Sequence, residues 1–509
     1  HCNMGERMRI VYFDIDSLRP DHLGCYGYRR PTSPHIDALA RRGVTLGQVY
    51  ASDVPCLPSR TGFFGGRFGT CSGVVNHGGV CSDLPPEGGD RGFRSLLAEN
   101  SLASLLVRQG YRTASISPFP RRHSAYQMTW GFHETFDTGK GGLENADEMF
   151  EPAADWLRRN GQSDNWFLHI NMWDPHTPYD TPESFGNPFA SEPMDSWLTQ
   201  EIVDRQRSSY GPHSAREVPD LTDDLPARWR WGVGEIKDLA DAKTHLDGYD
   251  AGVRYADMYL GRLLDILAEQ GVLEETAILV SADHGENLGE LNVWGDHQTA
   301  DEFTCHIPAV LVWPGVTEAF AGAKRDGLAY HLDLAATLVD LAGPQGASLL
   351  ESAAWMGRSL RGLISGEESG RDELFLSQGA WSLQRSLRWD NWLLIHTTHT
   401  GLKDFPETML FDLEADPHET QNLAGERPDL VVSGTEKIRH EFRQMSARCP
   451  LGDPFEVVLA EGGPLHANER SAGWARYVQR LRDTGREVHA QWLDEDGGCP
   501  RPADLSIYG

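Results

Sequence analysis

The sequence predicts an α/β fold: a mostly parallel central sheet flanked by helices on both faces, followed by a smaller C-terminal α+β domain. Three observations predict it. Short apolar runs of strand length alternate with helical segments, several of these runs end on acidic or acid-imidazole residues, and the alternation weakens after Gly343. Strands covered on both faces are apolar along their whole length, and strand-helix alternation is the mark of parallel crossovers.

Met8 to Asp16 is the first strand and ends on acids, and Ser33 to Gly43 follows as a capped helix closed by glycine. Ser101 to Gly110 is an amphipathic helix, Tyr111 to Ile116 a strand, and Trp166 to Met172 another. Gly248 to Gly271 is a long helix, and Thr276 to Ser281 is a strand running into Ala282-Asp-His-Gly285. In open sheets of this kind ligands collect beyond the carboxyl ends of the strands. Asp14/Asp16, Asp174/His176 and Asp283/His284 are therefore expected to converge on one edge. From about 181 to 245 the periodicity is lost in Pro-, Asp- and Trp-rich sequence, which marks an insertion or loop. Leu374 to Gln378 is a strand, and Ser386 to Ile395 a hairpin turning at Asp390-Asn391. These boundaries give a main domain over 1–374, with the insertion at about 181–245, and an α+β domain over 375–509.

The 509 residues carry 46 Lys and Arg against 75 Asp and Glu, a net charge of −29. At roughly 150 residues per domain the length allows two or three domains. With 15 Trp and 39% hydrophobic residues the chain is too apolar to be a disordered polyelectrolyte. The charge argues against nucleic-acid or anionic-membrane partners held by a broad basic face, so an anionic ligand must be gripped locally. No apolar stretch is long enough to cross a membrane. The chain opens at His1 without a visible signal h-region, which favours the cytoplasm. Eight cysteines (Cys2, Cys25, Cys56, Cys71, Cys81, Cys305, Cys449, Cys499) lack CxxC spacing and read as mostly free thiols, with neither a zinc motif nor a disulfide framework.

Clustered carboxylates with one imidazole suit an oxygen-loving divalent ion better than zinc. In Cys56-Leu-Pro-Ser-Arg60 an arginine four residues on can stabilise an anion beside the cysteine. Cys56-x-Pro58-Ser59-Arg60 resembles the signature of the type I, formylglycine-dependent sulfatases. The resemblance spans nearly the whole chain: Ile15 to Gly27 resembles the family's first metal strand, Asp174-Pro-His-Thr-Pro-Tyr179 its Pro-His-x-Pro element, and Ala282-Asp-His-Gly285 its second metal strand. His331 to Leu338 resembles a late helix and Leu410 to Leu423 a C-terminal motif.

The resemblance implies the alkaline-phosphatase-like fold and hydrolysis of a sulfate ester on a carbohydrate or small organic molecule. It implies that Cys56 is oxidised to formylglycine, whose hydrate attacks sulfur and then expels sulfate. It implies one divalent ion, Ca²⁺ before Mn²⁺ or Mg²⁺, on Asp16, Asp283, His284 and the Cys56 hydrate. Arg60 would hold the hydrate oxygen and the metal carboxylates, and His176 would bind sulfate and protonate the leaving alkoxide. Partners implied are a formylglycine-generating or anaerobic sulfatase-maturating enzyme and a small sulfated substrate. Homo-oligomerisation stays open.

The chain departs from the pattern at several points. Ser17 stands where many relatives have a second Asp, and Asp14, on the same side of the strand as Asp16, is the candidate replacement ligand. The sulfate-binding Lys after Asp283-His284 is missing, and His297 is the nearest candidate, favouring lower pH if it carries the charge. The Lys-x-His pair after the 111–116 strand is replaced by Arg121 and His123, with His123 the candidate base. Phe64-Gly65-Gly66 replaces the usual end of the signature, and Asn76-His77-Gly78 either lines the pocket or is a turn. Arg228, Trp229, Arg230 and Trp231 offer a sugar-recognition lid, a dimer contact or core packing. Alternatives are a phosphonate monoester or phosphodiester hydrolase of the same superfamily, and a non-catalytic sulfated-glycan binding protein. The negative surface favours short sulfated sugars or small esters over long glycosaminoglycans.

Overall fold

The computed structural model describes residues 8–86, 95–220, 231–465 and 474–495. In chain order its strands are β1 (Arg9–Ile15), β2 (Val44–Tyr50), β3 (Asp53–Val54), β4 (Arg112–Ile116), β5 (Glu134–Phe136), β6 (Trp166–Met172), β7 (Thr276–Ser281) and β8 (Asn287–Leu288). They continue with β9 (Trp294–Asp296), β10 (His306–Val312), β11 (Ala323–Tyr330), β12 (Glu373–Gln378), β13 (Leu383–Trp389), β14 (Trp392–His399) and β15 (Thr408–Asp412).

Eight strands form the large sheet in the order β11-β2-β10-β7-β1-β6-β4-β5. All neighbours are parallel except β10, which runs antiparallel to both β2 and β7. β1 lies between β6 and β7, and the register sets Asp14 level with Asn171 and Ser281. The ends of these three strands therefore lie side by side, as the sequence predicts. Every residue of β1, β6 and β7 is buried, which is why these segments are mostly apolar, their polar residues lying chiefly toward the carboxyl ends. Each fully buried Ile, Val or Leu contributes about 2 kcal/mol.

Two groups of helices pack around this sheet. Leu239–Glu269 packs against Ala146–Asn160 and Pro34–Arg42, while Cys56–Gly65 packs against His331–Ala342 and Leu102–Arg108. Alternation puts Tyr12, Asp14 and Asp16 on one face of β1. That face meets the Cys56–Gly65 helix, where Tyr12 stacks on Phe63 with ring centroids 4.8 Å apart.

The small sheet has the order β15-β14-β13-β12-β3. Its predicted hairpin is β13-β14, turning at Asp390-Asn391 with Asp390 at φ 45°. Helix Pro428–Ser446 covers β13 and β14. The fifth strand comes from far upstream: β3, just before Cys56, runs parallel to β12 with Asp53 opposite Ser377.

Several expectations are corrected. The long helix begins at Leu239, not Gly248, and Asp238 caps it by accepting from the amides of Ala240 and Asp241. Ser33 does not cap the first helix, because its hydroxyl accepts from the Gly24 amide and donates to Asp37. The described part of the 181–245 stretch is not a patternless loop: it includes helix Gln200–Gln206 and a small core of Leu198, Val203, Ala215, Val218 and Ile236 closed by Trp294. Trp231 is core packing, with its ring against Gly248 and its indole N–H donated to Thr181. Arg228, Trp229 and Arg230 lie outside the described residues. The six described cysteines are free thiols, and no described helix is long and apolar enough to cross a membrane.

Candidate functional site

Cys56 opens a helix whose ten residues are all buried, and its Sγ lies beyond the carboxyl ends of β1 and β7, 3.0 Å from His284 Nε2. Burial, then the charges of Asp16 and Asp283, push the thiol's pKa well up, so the unmodified side chain is a thiol rather than a thiolate. One turn along the helix, Arg60 reaches three carboxylates. Its Nε and Nη2 grip Asp14 at 2.9 and 3.1 Å, and its Nη1 lies 2.6 Å from Asp283 and 3.0 Å from Asp16. Its guanidinium lies over the Phe119 ring. Ser59 donates to the Asp283 carbonyl at 2.5 Å, tying the helix to the end of β7.

Asp16, Cys56, Asp283 and His284 bring one ligand atom each within 4.8 Å of one another, all buried. Their chemistry fits a divalent ion. Asp16 Oδ2 is buried with no hydrogen bond, and its ion-pair partner is Arg60 Nη1 at 3.0 Å. The His284 Nδ1–H donates to the Gly285 carbonyl at 2.7 Å, which turns the Nε2 lone pair toward Cys56 and Asp283. Burial would raise the Asp16 pKa, but Arg60 first, then His176, His284 and His297, drive it well below the carboxylate range. Asp283 moves the other way, to about 7, because burial and the neighbouring Asp16 outweigh Arg60. Three carboxylates around one guanidinium leave an excess of negative charge that a cation offsets.

Ser17 supplies no further ligand. Its hydroxyl donates to Asp16 at 2.9 Å and its amide to Asp283 at 3.3 Å, from a left-handed backbone at φ 58° that few non-glycine residues adopt. Asp14, expected as the replacement ligand, stands outside the four-residue group. One of its oxygens takes Arg60 Nη2, and the other is shared by Arg60 Nε and His169 Nε2. Asp174 likewise turns away and accepts from the Ala146 amide at the start of a helix. Gly285 is needed where the chain leaves the site, because a Cβ there would fall 2.0 Å from the Phe303 carbonyl oxygen.

His176, between two prolines, stacks on Trp173 at 4.7 Å and meets the His297 ring edge-on at 5.5 Å. Burial, then Arg122 and His297, lower its pKa to about 3 against the pull of Asp16, so it is neutral in the free site. His123 falls within the Cys56–His77–His123 group, its Nε2 buried without a partner, and burial with Arg122 and Arg60 takes it to about 3. His77 accepts from the Leu57 amide and lines the same side. His297 sits 4.2 Å from the His284 ring. Arg121 is a correction: its exposed side chain pairs with Asp137 and the Gly139 carbonyl, away from these residues. Its neighbour Arg122 instead lies over Trp173 and exerts its charge on Cys56, His123, His176 and His297. Sequence reasoning also passed over Glu286 and Asp296, which flank His297 at 3.5 Å on either side. The only signal for them was their place two residues after His284 and one before His297.

A family model described as Sulfatase matches residues 9–344. The chain is 25% identical over 473 residues to the choline-sulfatase of Rhizobium meliloti (strain 1021), covering 84% of each protein. It is 23% identical over 491 residues to the N-acetylglucosamine-6-O-sulfatase of Bacteroides thetaiotaomicron, covering 82% of this chain and 83% of that one. Among solved structures, a protein in complex with its substrate D-glucosamine-2-N,6-O-disulfate matches with a TM-score of 0.66 at 18% identity, over 89% of this chain and all of that one. The phosphonate monoester hydrolase of Agrobacterium radiobacter matches with a TM-score of 0.62 at 19% identity, over 86% of this chain and 96% of that one.

Proposed function

The chain belongs to the sulfatase family, hydrolases of sulfuric esters with a metal-dependent site, and from that premise we propose that it cleaves a small sulfate ester, carried by a sugar or small organic alcohol, with Cys56 matured to formylglycine. The observation that supports this reading best is the convergence of Asp16, Cys56, Asp283 and His284 within 4.8 Å around the Arg60 guanidinium. These four residues would hold the divalent ion, Ca²⁺ before Mn²⁺ or Mg²⁺ on the balance of oxygen donors. When bound, the ion supplies positive charge against the sulfate oxygens and eases deprotonation of the attacking hydroxyl. The aldehyde hydrate at position 56 supplies two hydroxyls on one carbon, one to attack sulfur and one whose deprotonation expels sulfate.

The remaining work falls to residues of the chain. Arg60 fixes the positions of Asp16 and Asp283 and is held in turn by Asp14 and, through it, by His169 and Ser115. His123 offers an unpartnered Nε2 beside Cys56 and takes the proton of the second hydroxyl. His176 directs its Nδ1 at the Thr177 carbonyl, which leaves Nε2 facing the His297 side of the pocket to protonate the leaving alkoxide. A bound sulfate monoanion raises its pKa from about 3, so His176 takes up a proton from solvent as the substrate binds and holds it for the leaving alkoxide. Arg122 lies over Trp173, on which the His176 ring also stacks, and adds positive charge to this side of the site. Family membership sets aside the non-catalytic binding protein.

Two measurements test the reading. Mass spectrometry of the Cys56 peptide from the native host should show the aldehyde in place of the thiol, and an unmodified peptide overturns the nucleophile. Turnover of an aryl sulfate should exceed that of an aryl phosphonate monoester, and the reverse order moves the chain to the phosphonate hydrolases.

A further inference from the structure

The wall facing His284 is built by residues that no step above uses. β8 and β9 form a short ribbon in which Asn287 opposes Asp296, so Glu286, before β8, and His297, after β9, leave its same end together. Glu286, Asp296 and His297 are 0%, 6% and 4% exposed, and one ligand atom of each lies within 4.8 Å of the other two. Neither Glu286 carboxylate oxygen has a hydrogen-bond partner, and neither does His297 Nδ1. A buried carboxylate without a donor costs several kcal/mol, so its retention demands a reason.

Neighbouring cations do not supply one. Arg19 meets Glu286 only at its backbone carbonyl and commits the rest of its guanidinium to Asp21 and Glu290. The Lys403 ammonium is bonded to the carbonyls of Pro212 and Asn292. The hydroxyl of Ser17 donates to Asp16. The spacing is also informative. His297 Nδ1, the unpartnered ring nitrogen, is 3.5 Å from Glu286 Oε1. That is long for a hydrogen bond, whereas two ligands about 2.1 Å from one tetrahedral ion stand about 3.4 Å apart. Behind Asp296, His213 Nδ1 engages the Val218 carbonyl at 2.8 Å and presents Nε2 to Asp296 Oδ2 at 3.3 Å, the kind of outer contact that orients a ligating carboxylate.

We propose that Glu286, Asp296 and His297, with Asp296 oriented by His213, hold a second divalent cation next to the one assigned to Asp16, Cys56, Asp283 and His284. Mixed carboxylate and imidazole donors suit Mn²⁺ or Zn²⁺. Its role rests on the sulfatase reading: without it, two carboxylates face the position where a sulfate must bind, and with it that wall attracts an anion in place of the missing lysine. The site itself stands on the side chains alone.

The full-length protein, stripped with EDTA and reloaded separately with MnCl₂ or ZnCl₂, should retain two equivalents of metal per chain after desalting, measured by plasma mass spectrometry. Glu286→Gln, which keeps shape and removes charge, should retain one. One equivalent in the wild type with both metals, or two in a folded Glu286→Gln protein, overturns the proposal. Should the variant fail to fold, as judged by circular dichroism, the wild-type count decides alone. The count is independent of sulfate release, so a failure here and a failure of the sulfatase reading are told apart.

Discussion

Two walls of one pocket handle buried negative charge in opposite ways. At the first, Asp14, Asp16 and Asp283 surround Arg60, and Asp16 stays ionised although it is fully buried. At the second, Glu286 is equally buried, and burial followed by the charges of Asp296 and Asp16 pushes its pKa far up. Burial is the same for Asp16 and Glu286, and the difference between them is the Arg60 guanidinium; Asp283, crowded by Asp16, rises to about 7 even beside it. The first wall is assembled by the fold itself, whereas the second is left for something the fold does not provide.

Cys56→Ala removes the reacting group from the first wall and should lower sulfate release by at least about 10³-fold, with a stability loss of only about 1 kcal/mol. Retained turnover would remove Cys56 from the chemistry. Arg60→Met makes the first wall resemble the second by leaving three buried carboxylates without their cation, and should cost about 3–5 kcal/mol in urea denaturation. A loss below about 1 kcal/mol would show that Arg60 does not hold them.

Acid should loosen the first wall through His331. Its Nε2 donates to the Ser59 carbonyl at 2.9 Å and its Nδ1 accepts from the Ser52 amide at 3.3 Å, so it must be neutral to clamp the start of the Cys56–Gly65 helix. Burial lowers its pKa from 6.5 to about 4, partly opposed by Ser59. Between these values the unfolded chain binds the extra proton, so the contribution is complete above pH 6.5 and is lost as pH falls toward 4. The effect is at most about 3 kcal/mol, and His331→Gln should flatten the stability profile across that window. An unchanged slope would assign acid sensitivity elsewhere. The smallest effect is expected from His297→Lys, which gives the second wall a cation of its own. In EDTA it should gain about 1 kcal/mol over wild type, and a loss would show that Glu286 and Asp296 do not lack one.

What the sequence revealed follows physical lines. β6 and β7 were legible to the residue because strands buried on both faces are predominantly apolar and stand out from their polar flanks. The first turns of the Leu239–Glu269 helix were not, because Leu239-Ala-Asp-Ala-Lys-Thr carries no apolar stripe, and only the Asp238 cap announced them. That the Arg121 side chain faces solvent was not legible, because Phe119–Arg122 is a single turn, where each step rotates the side chain by about 100° and periodicity cannot fix the register. Asp14 was correctly placed on the face of Asp16, but its capture by Arg60 and His169 depends on contacts between β1, β6 and a distant helix. The second wall was invisible for the same reason: it exists only because a two-residue ribbon folds Asp296 back beside Glu286.

β3 sets a clock. Cys56 is buried behind a strand whose partner, Ser377-Gln378, is translated about 320 residues later. At about 5–20 residues per second, the ribosome needs tens of seconds to deliver that partner. Under the proposed maturation of Cys56, an oxidising enzyme would have this interval in which to meet an open chain, and slower synthesis downstream of Cys56 would lengthen it.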